Sequence, residues 1–143
     1  MYNELKTNFL AKVNNVTMAR TVTTAFLLEL DLPLNIINEV KTVISEAVTN
    51  AIVHGYHNDE SKSVHMNLSY DNYNLYIEVI DYGSGIPDIE KAKEPLFTTK
   101  LEEERAGLGF TIMEVFTDNL EIKSSVNVGT SVIMTKRYYD HAA

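Results

Sequence analysis

Residues 34–55 read LNIINEVKTVISEAVTNAIVHG, and this segment has the strongest apolar periodicity in the chain. Apolar residues recur in it at three- and four-residue spacing, from Ile36 through Val43 to Ile52. Such spacing is typical of a helix that buries one face. The stretch therefore predicts the strongest helix of the chain, which begins near Leu34 and ends near Gly55.

The segments on either side of this helix complete the pattern. Upstream, residues 5–13 are a candidate strand, and Asn15 is a candidate cap for a helix over residues 16–30. Downstream, alternation predicts two hairpins, with strands at 64–70, 74–80, 120–125 and 130–136. Between the hairpins, residues 86–106 are expected to be irregular, and a helix is expected from residues 107–109 to about residue 116. The order predicts an α+β fold, a two-layer α/β sandwich with a mixed, mostly antiparallel sheet and helices on one face.

Length and composition exclude several classes of protein. With 143 residues, the chain predicts a single domain over residues 1–143. The charge of 12 − 20 = −8 argues against binding to nucleic acid or to an anionic membrane. The absence of cysteine excludes disulfides, thiol nucleophiles and thiolate zinc sites. Neither a secretory signal nor a membrane-spanning run is recognisable, so we expect a cytoplasmic protein.

Polar groups accompany the apolar stripe of the long helix. Glu46, Asn50 and His54 stand four residues apart and share one face at the edge of the core. A carboxylate held there can accept a proton as a general base, and an amide oxygen one turn later can ligate a hard cation such as Mg²⁺. Taken alone, the pattern also fits a helix whose polar residues merely flank its core face.

Two glycine motifs follow the helix. The segment DYGSG, residues 81–85, comes directly after a strand. Its glycines allow a close approach to a flat ligand, and Asp81 can accept a hydrogen bond from an exocyclic amine. The segment GLG, residues 107–109, stands at a predicted helix start, where free N–H groups would receive phosphates, and Arg105 adds a guanidinium beside it. Each motif by itself is also compatible with an ordinary turn.

Other chemistries lack the residues they need. The chain has no GxxxxGK phosphate loop, and DYGSG lacks the third glycine and the helix of a dinucleotide fingerprint. The HRD and DFG signatures of eukaryotic-type kinases are absent. His54 and His57 show no third zinc ligand, and Ser84 shows no triad partner.

Taken in order, the motifs resemble the nucleotide-binding boxes of the gyrase, MutL, heat-shock chaperone and histidine-kinase ATPases. These motifs are ExxxNAxxHG at residues 46–55, DxGxG at 81–85, GLG at 107–109 and Gly129-Thr130. The phrases SEAVTNAIVHGY, EPLFTTK and GLGFTIMEVF are similar to the small serine-kinase branch of that superfamily, the anti-sigma kinases of endospore-forming bacteria. The similarity covers about residues 5–137 and implies a Bergerat-type ATP-binding fold. The chain is too short to hold the dimerisation helices of a full histidine kinase as well.

The resemblance also implies roles for individual residues. Glu46 would accept the proton of a serine on a protein substrate, Asn50 would ligate Mg²⁺, and Asp81 would bind the adenine amine of ATP. Residues that shape the base pocket or complete its polar contacts would be Gly83, Gly85 and Thr130. Residues that approach the phosphates would be Gly107, Leu108 and Gly109 and, on a lid over about residues 93–106, Thr98, Thr99, Lys100 and Arg105.

Two protein partners are implied by the same resemblance. One is the RNA polymerase sigma factor F, held inactive by a homodimer of this chain, and the other is an anti-anti-sigma protein that receives the phosphoryl group. Arg20, exposed on the first helix by its spacing, is a candidate docking residue, although a solvated charge fits as well.

Two alternatives to this function remain open. One is a general-stress anti-sigma kinase with another sigma partner. The other is a nucleotide-gated binding module without phosphoryl transfer, against which Glu46 argues because a pure switch needs no base.

Overall fold

A computed structural model describes residues 1–94 and 101–138, with the side chains of residues 101–107 outside the description. The helices and strands are β1 (Asn3–Leu10), α1 (Asn15–Phe26), α2 (Leu34–Asn50), β2 (Ser63–Tyr70), β3 (Asn74–Asp81), α3 (Ile89–Lys93), α4 (Leu101–Phe116), β4 (Asn119–Ser125) and β5 (Gly129–Arg137). A 3₁₀ turn, Leu28–Leu30, follows α1, and a π-helical turn, Ala51–Gly55, follows α2. Within the described ranges, no helix is long and apolar enough to cross a membrane.

The five strands form one sheet in the order β1-β2-β3-β5-β4. All four pairings between the described strands are antiparallel. The α+β class and both predicted hairpins, β2–β3 and β4–β5, are confirmed. The mixed component of the predicted sheet is not found, because the chain returns through α4 and β4 so that β5 runs antiparallel to β3.

The helices cover one face of this sheet. Alternate residues of β2, β3 and β5 are buried, as expected for strands with one face against a core. They pack with the apolar face of α2 and with residues of α1 and α4. The α2 residues in this shared core are Val40, Val43, Ile44, Ala47 and Val48.

Two predictions between β3 and β4 were wrong. Residues 86–106 are not wholly irregular, since they contain α3 and the first residues of α4. The Asp88 carboxylate caps α3 by accepting from the Lys91 N–H at 3.1 Å. The charged run LEEER, residues 101–105, consists of strong helix formers and begins α4 six residues before the predicted start.

The boundaries around α1 also differ from the prediction. The first strand lies at Asn3–Leu10 rather than at 5–13, and α1 ends at Phe26, before the predicted residue 30. Asn15 does not cap the helix, because its side-chain amide donates to the Leu10 carbonyl at 2.8 Å. That bond holds the turn between β1 and α1.

Helix α4 is fixed at its C-terminal half. The Lys93 ammonium of α3 lies 3.1 Å from Glu114 Oε1. Lys136 of β5 is buried, and its Nζ donates to the Phe116 carbonyl at 2.6 Å and to Glu39 Oε2 of α2 at 2.8 Å. The two bonds of Lys136 hold the C-terminal end of α4 beside α2.

Candidate functional site

A cavity of about 580 Å³ opens beside the C-terminal end of α2. Its size is typical of a small-molecule site. Apolar side chains such as Val79, Val132 and Phe110 form much of its wall, and Asp81 and Thr130 bring polar groups from β3 and β5. A largely apolar pocket with a few convergent polar groups suits a flat, partly polar ligand.

Asp81 is the buried carboxylate of this cavity. It is only 5% exposed, and burial raises its pKa to about 6. Backbone N–H groups of Gly83 and Thr130 partly offset that rise in pKa, and the Gly83 N–H lies 3.0 Å from Asp81 Oδ1. A desolvated carboxylate of this kind gains more than an exposed one from a ligand that donates a hydrogen bond.

The ends of α2 and β3 touch through two glycines. A Cβ placed on Gly55 would lie 2.5 Å from Asp81 Cγ, and a Cβ on Gly83 would lie 2.0 Å from the Gly55 carbonyl oxygen. Neither contact is sterically possible for a residue with a side chain. The glycines of HGY and DYGSG therefore serve one contact, which brings the Asp81 carboxylate against the end of the α2 segment.

The turn after Asp81 is tied to the β4–β5 hairpin. Gly85 has φ +76°, in the left-handed region that favours glycine. The next residue, Ile86, donates its N–H to Ser124 Oγ at 2.8 Å, and Ser124 Oγ lies 2.8 Å from Thr130 Oγ1. Ser124 thus joins one wall of the cavity to Thr130, a role that a serine near the end of an edge strand does not reveal in the sequence.

Asn50 and Glu46 lie at the other side of the cavity. Asn50 is 7% exposed, and neither its Oδ1 nor its Nδ2 has a hydrogen-bond partner among the residues that the structure describes. A buried amide without partners costs free energy and indicates a site for a ligand. A Cβ on Gly109 of α4 would lie 3.1 Å from Glu46 Oε2 and 3.2 Å from Asn50 Nδ2, so α4 passes directly over both side chains.

The structure brings together most of the described residues that the sequence singled out. Those that line the cavity are Asn50, Asp81, Gly85 and Thr130. Those at its border are Glu46, Gly83 and Gly109.

The predicted phosphate segment differs from expectation. Residues 107–109 lie inside α4, so the prediction of a helix start there was wrong, and their N–H groups are within the helix. Leu108 is exposed. For Arg105 and Gly107 only the backbone is described, and Thr98, Thr99 and Lys100 lie outside the described residues. Their proposed contacts with phosphates stay predictions.

Arg20 is not exposed as its spacing suggested. It is half-buried, and its Nε is buried without a hydrogen-bond partner in the described part of the chain. The reason is its position on α1, next to Ala19 and three residues before Thr23, which are both buried where α1 packs against α2.

Several residues of the cavity were missed by sequence reasoning. Ile86, Asp88 and Lys91 line it, as does His54, which the sequence had placed at the edge of the core without a role in the site. Asp88 followed by IEK is a readable start signal for α3, but the preceding Pro87 and the adjacent charged runs favoured an irregular loop. Tyr56, beyond the cavity wall, gave no signal because its contacts depend on tertiary structure.

Comparison with known sequences places these features in a family. The profile described as "Histidine kinase-like ATPase domain" matches residues 9–136. The chain is 51% identical over 134 residues to an anti-sigma F factor of Thermoanaerobacter sp. (strain X514), covering 94% of this chain and 93% of that protein. It is 48% identical over 138 residues to the anti-sigma F factor of Geobacillus stearothermophilus, covering 96% of this chain and 94% of that protein.

Solved structures show the same fold. The RsbU and RsbW domains of a Mycobacterium tuberculosis protein align with a TM-score of 0.62 at 23% identity, over 94% of this chain and 32% of that one. The histidine kinase domain of a blue-light activated histidine kinase from Erythrobacter litoralis aligns with a TM-score of 0.57 at 20% identity, over 76% of this chain and 48% of that one. The chain thus spans about a third of the Mycobacterium tuberculosis chain and about half of the Erythrobacter litoralis chain.

Proposed function

The chain belongs to the anti-sigma F factor family, which carries the histidine kinase-like ATPase domain, and from this membership we propose that it is an ATP-dependent protein-serine kinase. Its substrate would be an anti-anti-sigma protein, and a homodimer of the chain would hold sigma factor F inactive. Phosphorylation would then prevent the antagonist from releasing the sigma factor.

The observation that carries this proposal is a buried hydrogen-bond acceptor, the Asp81 carboxylate, in a cavity with largely apolar walls. The Asp81 carboxylate lines the cavity. Val79 and Val132, which are paired on neighbouring strands, form one side of the cavity, and the end of α2 forms another. A purine fits apolar walls, and the exocyclic amine of adenine would donate a further hydrogen bond to the buried carboxylate. Thr130 and the turn at Gly83 and Gly85 would complete the base pocket.

Asn50 supports a place for Mg²⁺ beside the nucleotide. Its amide oxygen is buried and has no partner within the described ranges, which fits an oxygen ligand for a hard cation. Mg²⁺ in nucleotide sites commonly takes only one or two protein ligands and completes its shell with phosphate oxygens and water. The ion, when bound, would neutralise charge on the phosphates.

Glu46 would be the general base. It precedes Asn50 by one helical turn and so shares its side of α2, from which it would face the phosphates. Its carboxylate would accept the proton of the serine hydroxyl while the serine oxygen bonds to the γ-phosphorus and the bond to ADP breaks. Phosphoryl transfer asks mainly for positioning and charge stabilisation, so a single well-placed base suffices.

The remaining parts of the machinery are proposed from family membership. Residues that would approach the phosphates are Thr98, Thr99, Lys100, Arg105, Gly107, Leu108 and Gly109. Closure of the lid over about residues 93–106, which carries Thr98, Thr99, Lys100 and Arg105, would exclude water from the transfer. Arg20 is proposed as a docking residue for a protein partner, and its half-buried position leaves part of the side chain accessible.

The test is transfer of label from [γ-³²P]ATP. The chain is mixed with a candidate anti-anti-sigma protein, and we expect label on a serine of that protein. Nucleotide binding without transfer would overturn the kinase proposal and favour a nucleotide-gated binding module. A pull-down against a panel of sigma factors should retain sigma factor F, whereas retention of a general-stress sigma factor alone would contradict the proposed partner.

A further inference from the structure

The hydroxyl of Tyr56 joins the start of β2 to the residue that follows β3, beside the cavity. Tyr56 follows the π-helical turn directly and is only 7% exposed. Its Oη donates to the Ser63 carbonyl at 2.6 Å and accepts from the Tyr82 N–H at 2.8 Å. Burial raises the pKa of Tyr56, so the hydroxyl keeps its proton at neutral pH and can make both bonds.

The bond to Tyr82 lies where β3 ends. Pairing of β3 with β5 ends at Asp81 and Thr130, and its pairing with β2 ends one residue earlier, at Ile80. The Tyr82 N–H is therefore beyond both ladders and has no acceptor within them. Tyr56 supplies one, at the residue that follows Asp81.

A second contact holds the other end of the same turn. The Ser84 N–H donates to the Gly55 carbonyl at 2.9 Å, and Ser84 Oγ donates to the His54 carbonyl at 3.2 Å. Residues 82 and 84 are thus both bonded to residues 54–56. A Cβ on Gly55 would come within 2.5 Å of Asp81 Cγ, so these attachments hold the turn where the Asp81 carboxylate packs against Gly55.

We propose that Tyr56 is a positioning residue for base recognition, whose hydroxyl fixes the Asp81 carboxylate where it accepts a hydrogen bond from the 6-amino group of a purine. The inference rests on the proposed function, because it assumes that the cavity binds an adenine nucleotide. Tyr56 itself is not among the side chains that line the cavity, so its effect on the ligand passes through Asp81.

The test removes the hydroxyl oxygen of Tyr56 and compares its effect on ligands with and without the 6-amino group. Affinities of wild type and Tyr56→Phe are measured by calorimetry for ADP and for purine riboside 5′-diphosphate, which lacks the 6-amino group. We expect Tyr56→Phe to bind ADP about tenfold more weakly, as for loss of one well-placed hydrogen bond to a charged group. Its affinity for the purine analogue should stay at the wild-type value, so the preference for ADP collapses.

Tyr138→Phe is the matched control. Tyr138 is 5% exposed, and its hydroxyl also donates to a backbone carbonyl, that of Asp71. Neither residue lines the cavity. Tyr138→Phe should therefore lower the free energy of unfolding much as Tyr56→Phe does, while both nucleotide affinities stay unchanged.

Three results would overturn the proposal for Tyr56. One is an equal loss of affinity for both nucleotides, which indicates a merely structural role, and another is an unchanged preference for ADP. The third is a full additional loss of ADP affinity when Tyr56→Phe is combined with Asp81→Asn, since two residues that act through one contact must be non-additive.

If Tyr56→Phe does not fold, it is replaced by para-aminophenylalanine at position 56. This residue keeps a donor for the Ser63 carbonyl but is a poor acceptor for the Tyr82 N–H. A wild type without preference for ADP would instead contradict the proposed base pocket.

Discussion

The Asp81 carboxylate lies against the α-carbon of Gly55, so closely that a Cβ at position 55 would have all three carboxylate atoms within 2.7 Å. These residues are 26 positions apart in the sequence and end two different elements, the α2 segment and β3. Their contact joins the two most informative motifs of the chain into one site. It also makes the end of the helix sensitive to the addition of a single methyl group.

Gly55→Ala should displace Asp81 and weaken ADP binding by at least about tenfold, with a loss of roughly 1–3 kcal/mol in the free energy of unfolding from overpacking. Calorimetry and urea denaturation measure the two effects. The double variant Gly55→Ala/Asp81→Ala removes the atoms that the new methyl group meets. It should regain stability but not ADP affinity. Wild-type affinity in Gly55→Ala would contradict the described contact.

Asp81→Asn should make the nucleotide-free protein more stable at neutral pH. The folded-state pKa of about 6 lies above the ordinary pKa of 3.8 for an aspartate, so ionisation of Asp81 opposes folding. That cost is fully present above pH 6 and disappears as the pH falls through 6 towards 4. We expect the variant to exceed wild type by up to about 3 kcal/mol at pH 7.5 and to equal it near pH 4.

Asp59→Asn is the opposite control for this pH effect. Hydrogen bonds from the Ser61 hydroxyl and N–H lower the pKa of Asp59, so its ionised form favours folding at neutral pH. Asn at position 59 should lower stability at pH 7.5 and have less effect at low pH. If urea denaturation shows Asp81→Asn to be less stable than wild type at pH 7.5, burial of the charged form is not the dominant effect at Asp81.

Much of the fold was predictable because its strongest signals are local. The apolar stripe from Ile36 to Ile52 and the alternation in both hairpins each express one buried face, which a short window of sequence contains. The start of α4 was not predictable in the same way. Its first residues, LEEER, carry helix propensity but no apolar periodicity, so the solvated charges suggested a loop.

The candidate site was predictable only in part, for a related reason. Asp81, Asn50 and the glycines carry a recognisable spacing. Ser124 and Tyr56 act through bonds to residues 38 and 26 positions away, Ile86 and Tyr82. A hydroxyl that satisfies a distant backbone N–H leaves no periodic mark in the sequence.

Asn50→Ala should reduce the contribution of Mg²⁺ to nucleotide affinity without destabilising the protein. The Asn50 amide has no hydrogen-bond partner among the atoms that the structure describes, so its loss leaves no described group unpaired. We expect EDTA to weaken ATP binding in wild type and to have little effect in Asn50→Ala, as measured by calorimetry.

Thr130→Val is the control for the stability of Asn50→Ala. The Thr130 hydroxyl lies 2.8 Å from Ser124 Oγ, so its removal should lower the free energy of unfolding by about 1 kcal/mol. An Asn50→Ala variant that is destabilised by as much as Thr130→Val, and that responds to EDTA as wild type does, would show that Asn50 is structural.

The most direct measurement compares Glu46→Gln with wild type for both ATP affinity and transfer of labelled phosphoryl to the serine of the anti-anti-sigma protein. Glutamine keeps the size of the side chain but cannot accept the proton, so we expect a rate at least about a hundredfold lower, within the range of general-base catalysis. ATP affinity should stay within about threefold of wild type. Transfer at the wild-type rate would contradict the role of Glu46 as the base, and a parallel loss of affinity and transfer would show that Glu46 is structural.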